Sequence, residues 1–283
     1  MKSLKTPLRY PGGKSRAVQK LFSYIPDKEY DELREPFLGG GSFAIEWTKR
    51  YPDSRVWVND LYEPLVNFWQ QLQMFGDDMS NRLTLIKRVH CDPGSAKVLF
   101  LQAKDQINDM SLSNLDRAIA FYIVNKCSFS GLTESSSFSK QASESNFSFR
   151  GIDKLPEYQN LIKNWNITNY SYDYLLDESP DKCFGLVDQK IFIYLDPPYD
   201  IKDNLYGHKG SMHKRFDHDQ FASDCSACSI DQLVSYNSTQ LVKDRFANWK
   251  ASEFDLTYTM RSVGQYMREQ QDRKELVLIN YEM

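Results

Sequence analysis

The sequence predicts an α/β fold in which residues 1–70 and 167–283 build one discontinuous domain and residues 71–166 form a mainly helical insertion. Three observations predict it. Strand and helix signals alternate over the first 70 residues, the grammar of βαβ units and of a parallel sheet covered by helices. From about Gln71 to Asn166 the apolar positions recur at helical spacing. Strand signals then return with WNITNY, Trp165 to Tyr170, and continue to the end of the chain.

In chain order, Ala17, Val18, Leu21, Phe22 and Ile25 recur at helical spacing behind Ser15, which can serve as a helix cap. LREPFL then reads as a strand entering a glycine run, SFAIEWTKR as a helix and RVWVND as a second strand. Pro64 suits the first turn of another helix, EPLVNFWQQLQ. Within the insertion the clearest helix is LSNLDRAIAFYIVNKC, with Leu112, Leu115, Ile119, Tyr122 and Ile123 on one apolar face. A serine-rich piece follows, in which nine of the residues from Ser128 to Ser148 are serine. Such composition suits a surface loop, but the interleaved Phe129, Phe138, Phe147 and Phe149, with Lys140 and Arg150, argue against a mere spacer. KIFIYLD and DQLVSYNS are strands, TQLVKDRFANW is helix-like, and FDLTYTMRS and ELVLINYE close the chain as strands.

Hydrophobic content of 41% and charged content of 26% are those of a soluble globular protein. No apolar run approaches the roughly 20 residues that cross a bilayer, and MKSLKTPLRY lacks the apolar core of a signal peptide. A cytoplasmic protein without membrane association is therefore expected. The five cysteines, Cys91, Cys127, Cys183, Cys225 and Cys228, are too scattered for a disulfide framework and are expected as thiols. A net charge of -3 gives no global attraction to nucleic acid, so such a partner would need a local basic face.

Three turns carry chemistry. FLGGGSF, Phe37 to Phe43, is a glycine turn between a strand and a helix, where a ligand can approach the backbone and the helix N-terminus favours an anionic group. Asp60 ends the next strand about 20 residues on, the place of an acid that accepts hydrogen bonds from ribose hydroxyls. Together they point to an adenosine-containing cofactor; a plain tight turn and an N-cap aspartate are the bland alternatives. RYPGGK, Arg9 to Lys14, is a second glycine turn, whose Lys14 can neutralise a ligand carboxylate and whose Tyr10 can stack on a flat ring. In IFIYLDPPYD, Ile191 to Asp200, Asp196 stands at a strand end where α/β sheets place ligands, and the stiff Pro197 fixes a carbonyl beside it. A carboxylate and a carbonyl can accept both protons of an exocyclic amino group while Tyr199 stacks on the ring. The alternative is a proline-terminated strand with a capping aspartate.

The ordered set LRYPGGK, EPFLGGG, VND and DPPY closely resembles the Dam-like alpha class of DNA adenine N6-methyltransferases. NKCSFSGL resembles that family's helix-to-turn segment before its DNA-recognition loop, NFSFRG its following hairpin, SYDYLL an acid-containing segment, MHKRFDH a variant of LHK-FDH and LVLINYE its closing strand. The resemblance implies a Rossmann-like S-adenosylmethionine-dependent methyltransferase sheet with an inserted target-recognition domain. It implies transfer of a methyl from S-adenosylmethionine to N6 of an adenine flipped out of double-stranded DNA, with no metal and no covalent intermediate. No obligatory protein partner is evident, and a monomer is expected.

Carried over by position, Tyr10, Lys14, Phe37, Gly39, Gly41, Asp60, Asp173 and Asp196 would touch the cofactor, although Asp173 lies in YDY where the family usually reads GDF. Asp196, Pro197 and Tyr199 would grip the adenine. Arg9, Lys126, Ser130, Glu134, Lys140 and Arg150 would meet DNA, with Lys5 near phosphate. Relatives that read GATC carry Asn and Arg where Ser130 and Glu134 stand, so a site other than GATC is expected. Competing readings are an RNA-adenine or protein-amide methyltransferase, for which Asn is more usual than Asp at the head of the motif, and a DNA-binding protein that holds the cofactor without turnover. A rival constellation, His208, His213, His218, Cys225 and Cys228, has the spacing of a tetrahedral zinc site, against which Phe221, Cys225 and Cys228 fall on one helix face as buried thiols do.

Overall fold

The structure, a computed structural model, describes residues 4–10, 12–129, 136–177, 190–199, 216–255 and 274–283. Among the described residues, seven strands form one sheet in the order β3 (Asn166–Thr168), β2 (Arg55–Asn59), β1 (Glu32–Glu35), β4 (Ile191–Leu195), β5 (Asp231–Asn237), β7 (Lys274–Ile279) and β6 (Lys250–Asp255). β1 through β5 pair in parallel, as the βαβ pattern predicts. At the far edge β7 runs antiparallel to both β5 and β6. An apolar strand pattern records burial and not direction, so ELVLINYE carried no mark of the reversal.

All five residues of β4 are buried. Phe192 and Tyr194 enter one core, shared with the helices of the insertion, while Ile191, Ile193 and Leu195 enter a second core on the opposite face. A strand covered on both faces has to be apolar throughout, which is why IFIYL is continuous rather than alternating.

Helix α1 (Val18–Phe22) is shorter than its apolar pattern suggests, and Ser15 does not cap it. Ser15 Oγ instead meets Ser42 Oγ at 2.8 Å, which ties the first glycine turn to α2 (Ser42–Arg50) behind the second. Helix α3 (Glu63–Val89) has Pro64 in its first turn as expected, and it runs past residue 71 without a break in the chain's course. It kinks at Phe75, φ -134° and ψ 32°. The cause is Gln159 of α8 (Leu155–Ile162): its amide donates to Met74 O at 3.1 Å and accepts from Asp77 N at 3.0 Å, replacing ladder bonds of α3.

The remaining described helices between β2 and β3 are α4 (Pro93–Gln106), α5 (Asn114–Cys127), α6 (Lys140–Ser145) and α7 (Phe149–Ile152). The single apolar face expected for α5 is an underestimate, because α3 and α4 both pack on it and nearly every residue from Arg117 to Cys127 is buried. Leu112 precedes the helix, which Ser113 caps. The serine-rich piece is structured on both sides of residues 130–135: Ser128 bridges to Phe138, and the hydroxyls of Ser139 and Ser148 cap α6 and α7. NFSFRG forms the start of α7 rather than the hairpin its resemblance implied. Phe147 is buried and Phe138 packs on the core, whereas Phe129 and Phe149 are exposed. Two further helices, α9 (His218–Ala227) and α10 (Gln240–Arg245), cover the second face. Cys91, Cys127, Cys225 and Cys228 are thiols, as expected. Among the described residues no helix is long and apolar enough to cross a membrane.

Candidate active site

The chain leaves β1 toward β2 and β3, then returns across the sheet to β4, so β1 and β4 flank the point where the strand order reverses. In open α/β sheets that point leaves a crevice beyond the carboxyl ends of the two strands. The crevice is present in this sheet, and both glycine turns and the DPPY corner line it.

The turn after β1 depends on two glycines in the left-handed region, Gly39 at φ +48° and Gly41 at φ +66°. A Cβ on Gly39 would stand 3.0 Å from the Tyr10 ring, and one on Gly41 2.8 Å from Trp69. Tyr10, from the first glycine turn, thus lies directly against the second. Asp60 fixes the same turn from beneath, Oδ2 accepting from Gly39 N at 2.9 Å and Oδ1 from Tyr62 N at 3.0 Å. Burial pushes its carboxyl up to about 6, with the backbone donors pulling the other way. Both oxygens retain further lone pairs, so the bland reading and the cofactor reading of Asp60 are compatible.

Asp196 is the first residue beyond β4. Its Oδ1 accepts from Lys14 Nζ at 2.7 Å and from Ser235 Oγ at 3.1 Å. Because both bonds fall on Oδ1, Oδ2 keeps its acceptor capacity. Burial pushes this carboxyl up to about 6; Lys14 opposes the shift and the charge of Glu275 adds to it. Lys14, 3% exposed, directs its ammonium protons to Asp196, to the Tyr199 hydroxyl at 2.7 Å and to Gly12 O at 3.2 Å. Protein acceptors therefore occupy the donors that the sequence offered to a ligand carboxylate. The Tyr199 hydroxyl donates to Glu275 Oε1 at 2.6 Å, and its ring stacks on Tyr236 with centroids 5.9 Å apart.

The facing wall comes from Tyr170, Ser171 and Tyr172, the last stacked on Phe37 at 5.6 Å. Asp173, expected at the cofactor, stands exposed on the 3-10 turn Tyr172–Leu175 and does not line the cleft. The turn is pinned by Arg34 of β1, fully buried, whose guanidinium donates to Leu175 O at 3.0 Å and Asp177 O at 2.9 Å.

Sequence reasoning missed Glu35, Ser235 and Glu275. Glu35 ends β1, lines the cleft and accepts from Ala44 N at 2.9 Å, and burial pushes its carboxyl well above the usual range. An acid immediately before the glycine turn was a readable signal. Ser235 and Glu275 sit inside strands and carried none.

Of the residues expected at DNA, Ser130 and Glu134 lie outside the described residues. Arg9 donates to Ser128 O at 2.7 Å and Phe129 O at 3.0 Å, and its backbone N and O pair with the Asn125 side chain at 2.9 and 2.7 Å. It thereby joins the first glycine turn to the base of the 130–135 segment. Lys126 lies beside it, half-buried, and burial with the nearby Arg9 charge pulls its amine down to about 8. Lys5, Lys140 and Arg150 are exposed. Of the zinc constellation, His208 and His213 lie outside the described residues; Cys225 and Cys228 are buried in the second core, and His218 Nδ1 meets the Tyr236 hydroxyl.

Residues 10–260 match the family model of D12 class N6 adenine-specific DNA methyltransferases. The chain belongs to that family. It is accordingly an adenine-specific DNA methyltransferase, as the ordered motifs led us to expect. Among curated relatives, the DNA N-6-adenine-methyltransferase of Escherichia phage P1 is 30% identical over 125 residues, 44% of this chain and 15% of the phage protein's length. Type II methyltransferase M1.LlaDCHI of Lactococcus lactis subsp. cremoris is 21% identical over 96% of this chain and 94% of its own. Type II methyltransferase M.CviBI of Paramecium bursaria Chlorella virus NC1A is 20% identical over 98% of this chain and the whole of its own.

Proposed function

We propose that this D12 methyltransferase takes S-adenosylmethionine as donor and methylates N6 of an adenine flipped out of duplex DNA, with Asp196, Pro197 and Tyr199 as the target-base pocket. The observation that carries the reading is the convergence of DPPY and both glycine turns on one crevice at the strand-order reversal. The cleft fits the cofactor's chemistry. Its positive-φ glycines admit close backbone approach, Asp60 offers lone pairs to ribose hydroxyls, and Glu35, Asp60 and Asp196 give an acid-lined wall suited to a cation. The Phe37 to Gly41 turn, with Tyr10, would hold it. When bound, S-adenosylmethionine supplies an electrophilic methyl on a sulfonium.

The chain's own part is to raise the nucleophilicity of an aromatic amine. Asp196 Oδ2 and the Pro197 carbonyl would accept hydrogen bonds from the two amino N–H groups, so electron density returns to N6 and the nitrogen can pyramidalise as it receives the methyl; the methyl–sulfur bond breaks as the N–C bond forms, and N6 then gives up one proton to Asp196 or to solvent. Lys14 and Ser235 hold Asp196 in place from Oδ1, so the acceptor need not reorganise during the reaction. Tyr199 stacks on the extruded ring and offsets part of the few kcal/mol of unstacking. Residues 71–166, with Arg9, Lys126, Lys140 and Arg150, would form the recognition side, and the enzyme would act as a monomer.

Radiolabelled S-adenosylmethionine offered against duplex DNA, RNA and protein tests the reading. Label is expected at N6 of adenine in duplex DNA alone; label confined to RNA or protein overturns it. Asp196→Ala should lower kcat by at least about a hundredfold, the scale of losing one transition-state contact, while duplex binding changes little. Turnover near the parent rate would show that Asp196 is not the acceptor of the amino proton.

A further inference from the structure

We infer that Glu275 is a positioning residue of the target-base pocket, acting through Tyr199 and Lys14. The inference rests on the pocket proposed above and extends it to a strand that carries none of the recognised turns.

Glu275 lies on β7, the strand whose direction is reversed, and is 1% exposed. A carboxylate so buried is costly unless paired and hydrogen-bonded. Two of its partners are members of the pocket: the Tyr199 hydroxyl donates to Oε1 at 2.6 Å, and Lys14 Nζ stands 3.4 Å from the same oxygen. Stacking on Tyr236 sets the plane of the Tyr199 ring but not its rotation within that plane. The bond to Glu275 supplies the second point that fixes the ring. Lys14, donating to Tyr199 and Asp196 at 2.7 Å each, then links the stacking ring to the acceptor oxygen. One buried acid thus sets the relative geometry of the two groups that would hold the base, from 76 residues beyond Tyr199.

The groups facing Asp196 are Lys14 from the first turn, Glu35 from β1, Tyr194 from β4, Ser235 from β5, Tyr199 and Glu275. Of these, Glu275 adds a negative charge that holds a proton on Asp196. Its removal should therefore ease ionisation of Asp196.

Two variants separate the roles. Glu275→Gln keeps an oxygen to accept from Tyr199 and removes the charge, whereas Glu275→Leu removes both. For Glu275→Leu, kcat is expected to fall about tenfold or more, one hydrogen bond's worth, with the Kd for S-adenosylmethionine and for duplex DNA within about threefold of the parent. The fluorescence of 2-aminopurine placed at the target adenine should change with it, since that signal reports stacking of the extruded base. Glu275→Gln should recover most of the fluorescence signal and shift the acidic limb of the kcat profile to lower pH. Parent-like kcat and fluorescence in Glu275→Leu overturn the inference. So does a Glu275→Gln enzyme that matches Glu275→Leu in every readout or loses cofactor and duplex binding together with thermal stability, because both mark a role in folding alone. If Asp196→Ala is itself fully active, the pocket reading falls; if Asp196→Ala is dead and both Glu275 variants are parent-like, only this inference falls.

Discussion

In the role proposed above, Asp196 meets two opposed demands, since it would have to be ionised to accept hydrogen bonds from the amino group yet sits where burial holds its carboxyl at about 6. The carboxylate would be the working form, so kcat is expected to fall about tenfold per pH unit below about 6 and to level off above it, measured at saturating substrates. Stability follows the opposite course. A carboxyl raised above its unfolded value near 4 binds its proton in the folded state first, so the stabilisation from that proton is complete below about pH 4 and is lost as pH rises toward 6. Asp60, also held at about 6, acts in the same direction. Unfolding of Asp60→Asn should accordingly show a shallower loss of stability across that window than the parent, as read by denaturant midpoints; an equal or steeper loss would contradict the burial argument. Arg9 marks the same scale for DNA. Its guanidinium donates to the carbonyls of Ser128 and Phe129, so besides the DNA contact proposed for it Arg9 ties the first glycine turn to the end of α5.

At the scale of elements, the glycine turn after β1 is the least replaceable piece. Gly41→Ala forces a side chain into the left-handed region and 2.8 Å from Trp69 of α3, and Trp69 is buried and bonded to Gly39 O at 3.1 Å. The conformational term is about 1–2 kcal/mol and the overpacking about 1–3 kcal/mol, so a loss of roughly 2–4 kcal/mol is expected in denaturant unfolding, with weaker cofactor binding in calorimetry. A change below about 0.5 kcal/mol would mean that Trp69 yields freely. In the serine-rich piece, composition and structure part company. Its composition reads as loop, yet Ser139 and Ser148 cap short helices and Phe147 anchors them in the core, so the serines specify helix starts rather than disorder. Helix α3 shows the converse, where a long apolar period concealed a kink that Gln159, 84 positions beyond Phe75, imposes from another helix.

Across the whole molecule, a net charge of -3 means that a DNA-binding face has to be local, and in the reading proposed above Lys126, Lys140, Arg150 and Lys5 would be its cations. Duplex affinity is therefore expected to fall with salt on a slope of only a few phosphates, smaller than that of a broadly basic protein. If Ser130 and Glu134 stand where the family resemblance puts them, they bear on specificity, since Glu cannot read guanine as Arg does. DNA from cells expressing the chain and lacking their own GATC methylation should remain sensitive to a nuclease that methylated GATC blocks. Protection would refute that expectation.

The sequence by itself determined the α/β class, the helices between β2 and β3 and the crevice's two glycine turns and DPPY corner, because strand ends, positive-φ turns and rigid imides are local properties written in neighbouring residues. Glu35 was equally local and was passed over. The direction of β7, the burial of α5 on all sides and the partners of Lys14 were decided by tertiary structure alone. Lys14 reaches Asp196 across 182 residues and Tyr199 reaches Glu275 across 76, and contacts of that span depend on how the sheet is threaded, which no window of sequence contains.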